Sequence, residues 1–78
     1  MIIQAPRSDA AMTYPEALMY CFFLEHRSQA GWRLPTAADV NNIQRFRDYG
    51  FQYNAWRVNH PAAGDEDTYM FVYPVKDV

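Results

Sequence analysis

Apolar positions along this chain switch between a helical period and a two-residue period. Ala17, Leu18, Cys21, Phe22 and Leu24 recur at spacings of one, three and four residues, which puts one broad apolar stripe on a helix. Met19, Tyr20 and Phe23 widen that stripe almost all round, so this helix expects cover on more than one side. Its start is marked by Thr13 with Glu16 three residues on, a capping-box pattern, and by Pro15 in the first turn, where a missing N–H is harmless. The polar run Glu25 to Gln29 follows, and Gly31 ends the segment. A second start signal comes at once: Pro35, then Thr36 as N-cap, then Asp39 at the third helical position, where its carboxylate meets free backbone N–H groups and the positive helix end. Helix two is predicted from Ala37 to about Arg47. Val40, Ile43 and Phe46 or Arg47 form its inward stripe, and Asn41, Asn42, Gln44 and Arg45 face water.

Strand signals occupy the two ends. Met1 to Gln4 is a short apolar run stopped by Pro6, which predicts a brief strand at a sheet edge or paired with the far end of the chain. Residues 7–12 read as a connector. From Gly50 to Val58 the chain is aromatic-rich with near two-residue alternation, as expected of a strand pair or a bulged strand. Residues 59–67 form a turn-rich loop. Thr68 to Tyr73 is the strongest strand pattern, with Tyr69, Phe71 and Tyr73 on one face and Met70 and Val72 on the other. Pro74 limits its length, and Val75 to Val78 continue as an edge segment. There is no repeat, low-complexity tract or linker, so residues 1–78 form one domain. The order strand, helix, helix, then two or three strands is α+β, with two helices on a small antiparallel sheet and the two terminal strands close together.

Composition adds a surplus to this outline. In 78 residues, half are hydrophobic, and two Trp, six Tyr and five Phe must find cover in a small interior. Some aromatic surface is therefore expected outside, where it marks contact with a protein partner or self-association. A formal net charge of −2 supplies no general attraction to phosphate backbones or anionic lipid, which disfavours nucleic acid and membrane surfaces. Cys21 is the single cysteine, so an intrachain disulfide is excluded and a reducing compartment is the simpler setting. The first residues carry no secretion signal, and no segment approaches the ~20 apolar residues of a bilayer span, so a cytoplasmic protein or a component of a particle assembled there is expected.

The segments Met12-Thr13-Tyr14-Pro15-Glu16-Ala17, Tyr20-Cys21, Gly31-Trp32-Arg33-Leu34-Pro35-Thr36 and Asp39-Val40 together resemble the Lcl C-terminal domain family. That family is related in fold to sulfatase-modifying-factor and C-type-lectin-like domains. The closing Val72-Tyr73-Pro74-Val75-Lys76-Asp77 is similar to its final strand. The resemblance covers nearly the whole chain at reduced length and implies a minimal C-type-lectin-like fold. In it, Trp32 and Leu34 insert between helices and sheet, Pro35 and Thr36 set the entry of helix two, and Arg33 makes an internal ion pair or clamps a carbonyl. Asp39-Val40 stands where the family has a Glu-Leu pair. The long-loop region that carries sugar and calcium sites in lectin-like domains is cut away, so those activities do not transfer. Formylglycine-generating chemistry needs paired cysteines that this chain lacks.

Local chemistry is sparse. Asp65, Glu66 and Asp67 offer carboxylates for a hard cation, but their spacing fits no calcium loop and reads as a solvated tip. His26, His60 and Cys21 share no zinc or nucleophile-base pattern, and Cys21 sits among apolar neighbours as a small buried hydrophobe. No cofactor, metal or enzymatic activity is expected. The leading reading is a non-enzymatic protein-protein interaction module whose contact surface is an aromatic hairpin of Trp56, Arg57, Tyr69, Phe71 and Tyr73. By analogy of size and fold, it suits a phage or accessory protein acting as a particle component or as a binder of a host protein. The first alternative is a small-ligand or glycan module using Asn54, Trp56, Arg57 and Asp65 to Asp67. The second is a weak nucleic-acid binder using Arg45, Arg47 and Arg57 interleaved with Phe46, Tyr49, Tyr53 and Trp56.

Overall fold

Two capping boxes fix where the helices begin. In a computed structural model of the chain, which describes residues 1–42 and 55–78, helix α1 runs Tyr14–Phe23 and helix α2 runs Ala37–Asn42. Thr13 donates both its backbone N–H (3.0 Å) and its hydroxyl (2.8 Å) to Glu16 Oε1 ahead of α1. Ahead of α2, the Thr36 N–H donates to Asp39 Oδ2 (2.8 Å) while the Asp39 N–H donates to Thr36 Oγ1 (3.2 Å). Both boxes satisfy N–H groups that a helix end otherwise leaves bare. The expected continuation of α2 through Ile43, Phe46 and Arg47 lies outside the described residues, as does the alternating segment 50–54.

Helix α1 stops well before Gly31. Leu24 is its extended C-cap, and the polar residues after it make a tight reversal in which His26 and Gln29 exchange backbone hydrogen bonds of 3.0 Å. The two residues at the tip, Arg27 (φ 52°) and Ser28 (φ 64°), are left-handed, a conformation that neither side chain favours. The Trp32 indole N–H donates to the Gln29 carbonyl at 2.8 Å and ties the reversal to the core.

Strand β1 (Ile2–Gln4) pairs antiparallel with β2 (Val75–Asp77) in the register Ile2 with Asp77, Ile3 with Lys76 and Gln4 with Val75. The two ends of the chain are therefore neighbours, as expected, and the described architecture is a small α+β fold of two helices and a two-stranded antiparallel sheet. The strongest predicted strand, Thr68 to Tyr73, is not one. Met70 bridges Met12 antiparallel and Phe71 bridges Ala55 in parallel, each as an isolated pair. Partners of opposite direction on the two edges, and prolines at 6 and 74 that cannot donate, keep this stretch from becoming a regular ladder. Because the Ala55–Phe71 bridge is parallel, Trp56 and the Tyr69–Tyr73 stretch do not form the expected hairpin. Residues 59–67 are turn-rich, as expected, with Asn59 left-handed (φ 61°).

Residues 70–77 act as a spine. One edge receives the N-terminal arm: the N–H of Ala5 bonds the Pro74 carbonyl, that of Ser8 the Val72 carbonyl, and Met12 and Met70 bond each other both ways. The other edge receives Arg33, which exchanges both backbone bonds with Val75, and Trp56, whose N–H bonds the Phe71 carbonyl. Against Val72 of this spine cluster Ala5, Ala17, Cys21, Trp32, Leu34 and Trp56. A second group of Ala55, Tyr73 and Val75 takes Ile2, Val40 and Phe71 against it.

Candidate functional site

The WRLPT segment is structural, and its chemistry is that of a clamp. Trp32 and Leu34 are buried, and the Arg33 side chain reaches two elements, β2 and α2. Its Nε and Nη2 bond the two carboxylate oxygens of Asp77 (3.1 and 3.0 Å), and its Nη1 bonds Asp39 Oδ2 (2.8 Å) and the Leu34 carbonyl (3.2 Å). The internal ion pair and the carbonyl clamp expected of Arg33 are thus both present, and they lock the end of β2 to the start of α2.

The five residues expected to form the contact surface are scattered by burial. Trp56 is fully buried; its indole N–H donates to the Met12 carbonyl at 2.6 Å, and its rings meet Tyr14 and His60 edge-on. Tyr73 is also buried. Phe71 is half-buried with the Arg7 guanidinium 4.2 Å above its ring, and Arg57 is half-buried near His60. Of the five, only Tyr69 is largely exposed, at 62%. The aromatic platform that the glycan and nucleic-acid readings require from Trp56 is therefore absent from the surface. Asn54, Arg45, Arg47, Phe46, Tyr49 and Tyr53 lie outside the described residues. Asp65 and Glu66 line a shallow recess with Thr13, Pro15 and Ala63.

The exposed apolar surface lies instead on α1. Tyr14, Ala17 and Cys21 point inward at helical spacing, which turns Leu18, Met19, Phe22 and Phe23 outward. Phe22 and Phe23 are 77% and 70% exposed, and their rings meet edge-to-face at 5.1 Å. The sequence carried this signal in a helix that is apolar nearly all round. Beside these residues runs a recess of about 430 Å³ floored by Met12, Met19, Tyr20, Phe23 and Leu24, with Glu16 at one end and Glu25 at the other. A second recess of about 580 Å³, between the β1 arm and the 26–29 reversal, is lined by His26, Arg27, Gln29 and Trp32 among others.

Titration of the buried groups sets a pH window. Burial pushes the Cys21 thiol up to about 12, so it stays protonated and is no nucleophile at neutral pH. Burial, reinforced by the nearby Arg57 charge, lowers the His60 imidazole, whose Nδ1 accepts the Ala62 N–H at 3.0 Å. Burial opposes ionisation of Asp39, but hydrogen bonds from Thr36 and Arg33 outweigh it and hold the carboxyl below its ordinary value. For both His60 and Asp39, the unfolded chain binds more protons on the acid side, so stability falls with pH, first through about 6.5 and again below about 4. For Cys21 the folded chain keeps the proton that the unfolded chain releases, so stability also falls above about 8.5. Urea midpoints measured from pH 3 to 10 are expected to plateau between about 7 and 8. A midpoint that rises above pH 9 would mean that Cys21 is not buried.

Among the described residues, no group of three or more His, Cys, Asp or Glu converges as a metal site, and no helix is long and apolar enough to cross a membrane. Comparison with protein-family models, with curated proteins and with solved structures finds no match to this chain.

Proposed function

We propose that this chain is a non-enzymatic protein-protein interaction module of minimal C-type-lectin-like fold, and that its contact surface is the outward face of α1. One observation carries this reading: Leu18, Met19, Phe22 and Phe23 are contiguous and exposed in a domain that encloses both of its tryptophans. Contiguous large apolar side chains on a solvated helix mark a surface that another protein covers. The lectin-like element of the proposal draws on the paired terminal strands and on the WRLPT segment wedged between β2 and α2. A cytoplasmic or particle-borne accessory role, as in a phage, rests on analogy of size and fold.

Site-resolved photo-crosslinking tests the surface. A benzophenone amino acid is placed at position 22 and, as a control, at exposed position 65, and both variants are irradiated in cells. A discrete adduct from position 22, absent from position 65 and lost when Met19→Glu is added, is the expected result. No adduct at 22, or the same adducts from both positions, would overturn the proposal.

A further inference from the structure

We infer that the recess on α1 receives an apolar side chain from a helical segment of another protein that carries lysine or arginine at both ends, rather than from a second copy of this chain. The inference rests on the reading of α1 as the contact surface and adds the chemistry of what covers it. The recess floor is apolar and rich in flexible side chains, since Met12 and Met19 adapt to the shape of an incoming group. Its rim is acidic. Glu16 stands at the N-terminal end, Glu25 at the C-terminal end, and Asp9 is close enough for its charge to act on the Tyr20 phenol.

Three features keep that rim negative. Glu16 is pinned by the Thr13 N–H and hydroxyl, which stabilise its ionised form. The last turn of α1 carries no basic residue, so the negative end of the helix and Glu25 add to each other without a compensating cation. The next cation along the chain, Arg27, lines the other recess, with His26, Gln29 and Trp32.

Self-pairing is disfavoured by the same charges. If two copies met antiparallel about the middle of residues 18–23, Glu16 of one would oppose Glu25 of the other. If they met parallel, each glutamate would oppose its own equivalent. Like charges facing each other across an apolar seam weaken the pairing and select against that partner. A segment with cations at both ends meets the opposite situation. The two glutamates are nine positions apart, a span of at least about 13 Å at helical rise, so the matching cations sit about two to three turns apart on a partner helix.

The test uses the full chain and three synthetic 16-residue peptides. The first carries leucines at helical spacing with lysine and arginine at both ends. The second replaces those cations with glutamate, and the third scrambles the order of the first. Fluorescence anisotropy should give saturable micromolar binding of the first peptide, at least tenfold weaker binding of the other two, and weakening between 50 and 300 mM salt. The Glu16→Gln/Glu25→Gln double variant should lose at least tenfold, with its fold checked by circular dichroism, because glutamine preserves the capping box. Equal binding of the acidic peptide, or no loss in the double variant, would overturn the inference. A concentration-dependent dimer by light scattering that Phe22→Glu abolishes would also overturn it, while leaving α1 as the contact surface. Absence of the position-22 adduct, by contrast, removes the underlying reading itself.

Discussion

Among the described residues, Trp56→Ala is expected to be the most damaging single substitution, with a loss of about 3–5 kcal/mol of unfolding free energy. The Trp56 side chain is wholly enclosed and shares a cluster with Ala5, Ala17, Cys21, Leu34 and Val72. Its removal leaves a cavity at the junction of the N-terminal arm, α1 and the spine, and strips the Met12 carbonyl of the indole N–H. At the usual stability per residue, 78 residues contribute only about 4–12 kcal/mol, so a loss of this size brings the fold close to its threshold at 37 °C. Trp56→Phe should lose less, about 1–3 kcal/mol, because most of the volume is kept and the hydrogen bond is not. Urea unfolding followed by far-UV circular dichroism measures both, and an unchanged midpoint for Trp56→Ala would contradict the burial of this ring. The result also separates stability from recognition: loss of partner capture in this variant reports unfolding, whereas the same loss in Phe22→Glu reports contact.

The second large effect is expected at Arg33. Arg33→Met keeps the apolar stem but removes the guanidinium that joins Asp77, Asp39 and the Leu34 carbonyl, and should destabilise by about 2 kcal/mol. Most of that loss comes from the Asp39 arm, because Asp39 is buried and retains only its Thr36 bonds once the cation has gone. The Asp77 arm is exposed and screened, so Asp77→Asn should lose much less stability than Arg33→Met. Arg33→Lys should fall between the two, since an ammonium cannot span both carboxylates as a planar fork does. Denaturant midpoints for the three variants give the order directly. If Asp77→Asn and Arg33→Met lost equal stability, the stabilisation would belong to the exposed arm instead.

What could be read along the chain was the set of interactions that close within one turn. Thr13 with Glu16 and Thr36 with Asp39 are three residues apart, and both helix starts fell where those pairs put them. The turns of residues 59–67 were legible for the same reason, whereas the reversal at residues 26–29 was not, because Gly31 was taken as the end of that segment. Apart from the pairing of the two terminal strands, contacts with a wide sequence gap were not. The Trp56 indole finds the Met12 carbonyl 44 residues away, and Arg33 finds Asp77 across the same distance. Ser8 sat unremarked in a connector, yet its hydroxyl is buried, accepting the Val72 N–H and donating to Ala10. The alternation of Tyr69, Phe71 and Tyr73 suggested a strand with one aromatic face. It could not reveal that the two edges of this stretch pair in opposite directions, one of them with residues near the start of the chain. The outward apolar face was half visible: the excess of large residues on α1 was plain, but which of them would be covered depended on where Trp56 came to rest.

The spine has a consequence for the order in which this fold is made. Residues 70–77 supply the backbone partners of β1, of Ala5, Ser8 and Met12, of Arg33 and of Trp56. During synthesis, β1, Ala5, Ser8, Met12, Arg33 and Trp56 therefore wait without their backbone partners until residues 70–77 have emerged from the exit tunnel. Local helix can flicker at the capping boxes in the meantime, but the ladder that defines the domain closes only in one late, high-contact-order step. Until then Phe22 and Phe23 are joined in solvent by Trp32, Leu34 and Trp56, and the nascent chain displays far more apolar surface than the finished domain retains.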